Sequence, residues 1–179
     1  MSPLPIPVRL VRYDPEWPSL AQMYSAELSV LGEFLVTVHH IGSTSVPGLA
    51  AKPIIDLMPL VTSLEDLDQV KSRVESLGYS LHGEFGIPER RYCARSDKLG
   101  NRIVQLHFFA VDSSQVTRHL AFRDFLRAHP KERIAYEIEK QRARALYPDD
   151  SHAYTEEKAA WIQSAETRAL RWHSSLHSE

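Results

Sequence analysis

Strand-like runs in the first two thirds of the chain, followed by helical periodicity to its end, predict an α+β fold. The expected architecture is a mixed sheet flanked by helices, with a helical C-terminal part. Phe34 to His40 and Pro53 to Val61 are apolar, β-prone runs joined by a glycine-bearing loop, and three more such runs follow with short turns between them. From Ser114 onward apolar residues recur at helical spacing instead.

The elements follow in order. Val8 to Val11 alternates enough for a short strand. Asp14-Pro15-Glu16 then offers a cap, a proline and an early acid, and a helix is expected from about Pro15 to Leu31 on the spacing of Trp17, Leu20, Tyr24, Leu28 and Leu31. After Val61, Ser63 and Asp66 match a capping box, and Leu64, Leu67, Val70, Val74 and Leu77 form the buried stripe of one helix ended by Gly78. Tyr79 to Glu84, Arg90 to Arg95 and Arg102 to Val111 read as strands whose short connections imply antiparallel neighbours. Helices are expected over Ser114 to Ala128, Pro130 to Leu146 and Ala153 to His173, with Ser174 to Glu179 frayed.

The 179 residues, 43% of them apolar, suffice for one core and are too few to argue for two, so residues 1–179 read as a single domain. A net charge of −2 and a sequence pI near 6.5 leave no electrostatic footprint for general nucleic-acid binding. A lone cysteine, Cys93, excludes an internal disulfide framework and is expected to pack in its strand. Polar residues interrupt every apolar run well short of a membrane span, and no secretory leader pattern opens the chain, so a cytoplasmic location is expected.

Val38 to Val61 carries the chemistry. Gly42-Ser43-Thr44 after a strand lets backbone amides approach an anion while hydroxyls add hydrogen bonds, and Lys52 and Asp56 follow closely. A tight turn is the plainer explanation of the same tripeptide. Pro47-Gly48 suits the centre of a type II turn. Asp56 lies in an apolar run, where a carboxylate is costly unless paired, and it reads either as a loop cap or as a catalytic or metal-binding acid. His107 shares a strand face with Gln105 and Phe109 and reads as a core histidine or a ligand. His40, Asp56 and His107 converge in this reading on one sheet edge as a site for a divalent ion, while His39 faces away. Beyond Glu84, Arg90, Arg91 and Tyr92 either form a solvated hairpin or bring a guanidinium to a substrate phosphate. Lys158, four residues after Tyr154, is a further candidate anion contact or a surface pair.

At these residues the chain resembles the GrpB family, a group similar to the nucleotidyltransferase superfamily and sometimes fused to a dephospho-coenzyme A kinase. The likeness lies in His40-Ile41-Gly42-Ser43-Thr44, Val46-Pro47-Gly48-Leu49, Lys52-Pro53-Ile54-Ile55-Asp56, Gly86-Ile87-Pro88 with Arg90-Arg91-Tyr92, Leu106-His107, and Phe122 to Pro130, continued by Tyr154 and Lys158. It implies a nucleotidyltransferase-like sheet, a Gly-Ser loop facing nucleotide phosphates, and acidic strand residues holding magnesium. The chain departs from that pattern. An Asp-x-Asp pair needs a second acid, and Ile54 or Met58 stands where it would be.

These residues point to a nucleotide or other phosphorylated small molecule bound through Gly42, Ser43, Thr44 and Lys52, with Asp56 and His107 as catalytic or metal-binding groups. The expected reaction is nucleotidyl or related phosphoryl transfer. A non-catalytic nucleotide-sensing module and a His/Asp metal-dependent hydrolase or ligase-like enzyme are the alternatives.

Overall fold

A computed structural model describes residues 4–176. Its sheet contains β1 (Leu35–Ile41), β2 (Ile55–Val61), β3 (Ser80–Leu81), β4 (Arg91–Ser96) and β5 (Arg102–Ala110), in the order β1-β2-β5-β4-β3. β2 and β5 run parallel and every other pair is antiparallel, so the sheet is mixed as expected.

Central β2 has neighbours on both sides and helices on both faces, which is why Leu57 to Val61 are all buried. One face meets α1 (Trp17–Glu27) with the 3-10 turns of Leu28–Phe34, then α2 (Leu64–Gln69) and α3 (Lys71–Ser76). Their Trp17, Leu28, Leu31, Leu67 and Val74 pack on Leu57, Val104, Leu106 and Phe108. The other face meets α4 (Ser114–Ala128), whose Val116 and Leu120 cover Ile41, Met58, Leu60 and Phe109. α5 (Pro130–Leu146), α6 (Ser151–Glu157) and α7 (Ala159–Leu176) complete that layer, with Ala165 and Ala169 letting α7 approach α4 closely.

Local physics moves several boundaries. Val8 to Val11 is not a strand; only Val11 pairs, with Ala51, because the segment lies across the end of the sheet and Val8 N–H bonds Pro148 at 2.7 Å. The helix expected over Leu64 to Leu77 breaks at Val70, whose ψ of 14° leaves the helical region. The last helix breaks at Lys158, and Asp150 caps α6 through the amides of His152 and Ala153 at 2.8 and 3.0 Å. β3 is cut to two residues because the chain turns away into a loop with positive φ at Phe85 (43°) and Glu89 (60°). Ser174 to Leu176 continue α7 rather than fray, and the rest of the expected frayed end lies outside the described residues.

Ser63 caps α2, its hydroxyl accepting the Asp66 amide at 3.0 Å, while the Asp66 carboxylate of the expected capping box accepts the Thr62 hydroxyl at 3.1 Å. Ser63→Ala should therefore lower stability by about 1 kcal/mol, read as a shifted urea midpoint with unchanged slope.

Candidate functional site

The loop after β1 is shaped by one close approach. Ile41 stands opposite Asp56 in the β1–β2 register, so the next residue, Gly42, lies against the Asp56 carboxylate. A Cβ at Gly42 would sit 2.6 Å from Asp56 Oδ2, and its φ of +69° already favours glycine. Ser43 to Ser45 then form a single 3-10 turn, with the Ser45 hydroxyl donating to the Gly42 carbonyl at 2.6 Å. Helix α4 fixes the turn: Arg127 donates twice to the Ser45 carbonyl at 2.9 and 2.8 Å, and Arg123 donates to the His40 carbonyl at 3.1 Å.

Pro47-Gly48 makes the expected turn, with Gly48 at φ +79° and Leu49 N–H bonded to Val46 at 3.2 Å. Helix α5 clamps the peptide groups of Ala50. Glu137 accepts the Ala50 amide at 3.0 Å, and the Lys140 ammonium donates to the Ala50 carbonyl. The clamp sets the course of the chain into Lys52, which lines the cleft below.

Asp56, Gln105 and His107 share the sheet face that looks toward α4–α7, since Asp56 is in parallel register with Gln105. His107 Nε2 lies 3.1 Å from Asp56 Oδ1, and Arg90 Nη1 lies 3.2 Å from His107 Nδ1. A guanidinium has only donors, so Nδ1 must accept and Nε2–H must donate to Asp56. Arg90 is itself held by the Glu84 carbonyl at 3.0 Å and by the Phe85 carbonyl. The result is a chain from the loop carbonyls through Arg90 and His107 to Asp56.

Other expected partners lie elsewhere. The register sets His40 opposite Leu57, on the far face from Asp56, and its Nε2 pairs with Thr44 at 2.9 Å. His39, expected to face away, is the one on the Asp56 face. Arg91 alternates to the opposite side and forms a fork with Asp68 at 2.9 and 2.7 Å. Tyr92 is buried, stacked on Phe85 and edge-on to His107. The Glu84 carboxylate binds the Glu89 amide at 2.8 Å within its own loop.

Between this sheet face and helices α4–α7 opens a cleft of about 780 Å³. Gly42, Ser43, Thr44, Lys52, Asp56, Arg90, His107 and Lys158 all line it, as do Lys140 and Tyr136. Six cationic side chains face three carboxylates in its wall, and one of those, Glu166, is already paired with Arg118 at 2.5 Å. Lys158 is 7% exposed, and its ammonium rests over the Tyr154 ring at 4.1 Å. Lys52 lies over the same ring at 5.6 Å, and neither lysine forms a salt bridge among the described residues. Burial drives both ammonium groups down to about 8, with Lys158 adding repulsion at Lys52 and Asp56 opposing the fall at each. Lys140, 2% exposed, is pushed well below its ordinary value by burial and by Lys158. The Tyr136 hydroxyl pairs with Ser43.

At the other end of the cleft, His119 donates Nδ1–H to the Gln115 carbonyl at 2.8 Å. Burial and Arg118 hold its pKa down to about 3, so the neutral ring keeps Nε2 as an acceptor. Sequence reading missed Tyr136, Lys140, Arg123, Arg127 and His119. Tyr136 and Lys140 do share one helix face at i,i+4, a spacing that equally describes a solvated pair.

The residues do not fit a resident divalent ion. Among the described residues no cluster of three or more His, Cys, Asp and Glu side chains has ligand geometry. Asp56 Oδ1 already receives the His107 proton, both His107 nitrogens are engaged, and His40 is on the other face. The groups around Asp56 are cations, which compete with a metal for its oxygens.

The α+β fold, a mixed five-stranded sheet with helices on both faces, has a counterpart among solved polymerase structures. The polymerase core of TRAMP, an RNA surveillance complex, matches with a TM-score of 0.50 at 14% identity over 78% of this chain and 46% of that one, a likeness of fold alone. Residues 7–168 match the family model described as GrpB protein, and the chain belongs to the GrpB family. The crystal structure of protein GrpB from Enterococcus faecalis matches with a TM-score of 0.85 at 36% identity, covering 92% of this chain and 99% of that one. The UPF0157 protein YqkA of Bacillus subtilis (strain 168) is 38% identical over 167 residues, covering 92% of this chain and 48% of that protein. A protein of Mycolicibacterium paratuberculosis named dephospho-CoA kinase is 31% identical over 193 residues, covering 94% and 47%. The chain thus spans about half the length of these two relatives. No helix among the described residues is long and apolar enough to cross a membrane.

Gly42→Ala should destabilise the protein by about 1 to 3 kcal/mol through positive φ and the clash with Asp56, measured by urea unfolding. A loss below about 0.5 kcal/mol would show that the loop accommodates a side chain there.

Proposed function

We propose that the cleft binds a nucleotide or another phosphorylated small molecule, and that the chain acts on it as a nucleotidyltransferase-like enzyme. One observation carries the reading: Lys158 is buried and Lys52 half-buried beside Asp56, and neither has a salt-bridge partner among the described residues. Burying an ammonium without a counter-charge is costly, and a bound phosphate supplies that charge together with hydrogen-bond acceptors. The Ser43 and Thr44 turn lines the same cleft.

Asp56 is the group to accept a proton from an attacking hydroxyl. His107 holds one of its oxygens and Arg90 fixes the tautomer of His107. In the reaction the hydroxyl oxygen attacks phosphorus, its proton passes to Asp56, and the bridging P–O bond breaks with the electron pair leaving on the departing phosphate. Lys52 and Lys158 would stabilise that developing charge. A second reading, a binding module without turnover, is favoured by the lone carboxylate. Turnover of a radiolabelled nucleotide separates the two.

Lys158→Met tests the site against a purely structural role. The shift of Lys158 from 10.5 to about 8 corresponds to a burial cost of about 3 kcal/mol at most, against about 0.5 to 2 kcal/mol for its ring contact. The variant should melt about 2 to 10 °C higher without ligand, yet lose the thermal shift given by ATP or ADP. A lower melting point with the shift retained would assign Lys158 to the scaffold.

Binding should also follow pH. Lys52 faces Asp56, Lys158, Arg102 and the Tyr154 ring, and Lys158 faces Asp56, Glu139, Tyr154 and Tyr136. Each lysine has a pKa near 8 when free, and an anion raises it, so affinity is full below about pH 8 and is lost as pH climbs above it. ATP titrations by calorimetry should weaken by roughly tenfold or more per pH unit above 8. A flat profile to pH 9.5 would remove these lysines from the ligand.

A further inference from the structure

We infer that the cleft takes its phosphorylated ligand as the free polyphosphate anion, with ammonium and guanidinium groups occupying the electrostatic role that divalent ions hold in metal-dependent phosphoryl transfer. The inference rests on the phosphate-binding reading above and specifies the ionic form of the ligand. Three features of the cleft carry it.

The first is the shortage of metal ligands. Magnesium needs several oxygens in near-octahedral array and is held by carboxylates together with the substrate phosphates. Here Asp56 stands without a second acid. Its Oδ1 accepts from His107, which leaves Oδ2 as the one carboxylate oxygen for a further partner. Glu166 is paired to Arg118, and Glu156 lies on the exposed rim.

The second feature is the supply of fixed positive charge. Lys52, Lys158 and Arg90 all line the cleft and all lie within electrostatic reach of Asp56. These three cations outnumber Asp56 and Glu139, the carboxylates that act on them, and leave an excess suited to a di- or triphosphate. A magnesium ion on the ligand would cancel the charge these groups need and compete with them for the same β- and γ-phosphate oxygens.

The third is that Arg90 and Lys158 are held by direct contacts and that the backbone leading into Lys52 is clamped. Lys52 follows the Ala50 peptide clamped by Glu137 and Lys140, Lys158 lies on the Tyr154 ring at the break between α6 and α7, and Arg90 is fixed by two loop carbonyls. Side chains ordered before the ligand arrives lose little entropy on binding it.

The test is calorimetry of the EDTA-treated protein with ADP, ATP and inorganic pyrophosphate, in EDTA and then in saturating Mg²⁺, on the wild type and on Asp56→Asn. The variant keeps an oxygen to accept from His107 and removes one negative charge from beside the phosphates. Affinity in EDTA should equal or exceed that in Mg²⁺, and Asp56→Asn should tighten binding several-fold in EDTA. Binding that appears only with Mg²⁺, or that Asp56→Asn abolishes, overturns the inference while leaving the phosphate-binding reading intact. No binding of any of the three ligands in either condition overturns both. Far-UV circular dichroism and the melting temperature of Asp56→Asn establish that its fold is retained.

Discussion

Positive charge buried between the sheet and the C-terminal helices is the constraint to which the rest of this molecule answers. An ammonium removed from water must find a carbonyl, a π face, a carboxylate or a ligand. Lys140 takes the Ala50 carbonyl, while Lys158 and Lys52 share the Tyr154 ring. Several features make sense only together with these placements. The Ala50 peptide is held at both ends by α5, the final helix is interrupted at Lys158, and the aromatic rings of Tyr136 and Tyr154 stand where aliphatic core residues would otherwise pack.

The opposite wall is built on a different economy, that of strand register. Because Ile41 pairs with Asp56, Gly42 is the residue forced against the carboxylate, and His40 is turned to the other face. A shift of one residue would exchange His39 and His40 and put a side chain where glycine is required. The same alternation on β4 sends Arg91 to Asp68 and Tyr92 toward His107. It leaves Arg90, just before the strand, free to turn back to the imidazole.

Much of this was legible in the sequence, for reasons that can be named. α4 and α5 run over the residues their caps and prolines indicate, and the Gly42 to Asp56 segment does line the cleft. Local signals suffice where local chemistry decides: a capping serine, a proline in the first turn, a glycine at positive φ. The face shown by His40 was not legible, because alternation gives relative facing within one strand and only the partner's register says which face meets the cleft. Lys140 and Tyr136 were hidden for a related reason. On α5 they look like any polar pair, and their role arises from the docking of that helix onto Ala50, nearly ninety positions away in the chain. Val70 and Lys158 broke helices whose apolar periodicity runs on through them, since tertiary packing overrides a pattern that is continuous in sequence.

The two walls together set the energetics of the cleft. The sheet contributes a rigid acid in a hydrogen-bonded chain, and the helices contribute cations at a cost to their own stability. A depressed lysine pKa means that the unfolded chain holds protons more readily, so these groups oppose folding at neutral pH and cease to do so as pH rises above about 8. A ligand bound only by the folded state offsets that opposition in proportion to the logarithm of its concentration. Lys158 stands at the junction of α6 and α7, so an anion between it and the sheet would join the two layers through charge as well as through apolar contact. Under the proposed function, the stability given up by the empty cleft is offset when an anion binds there.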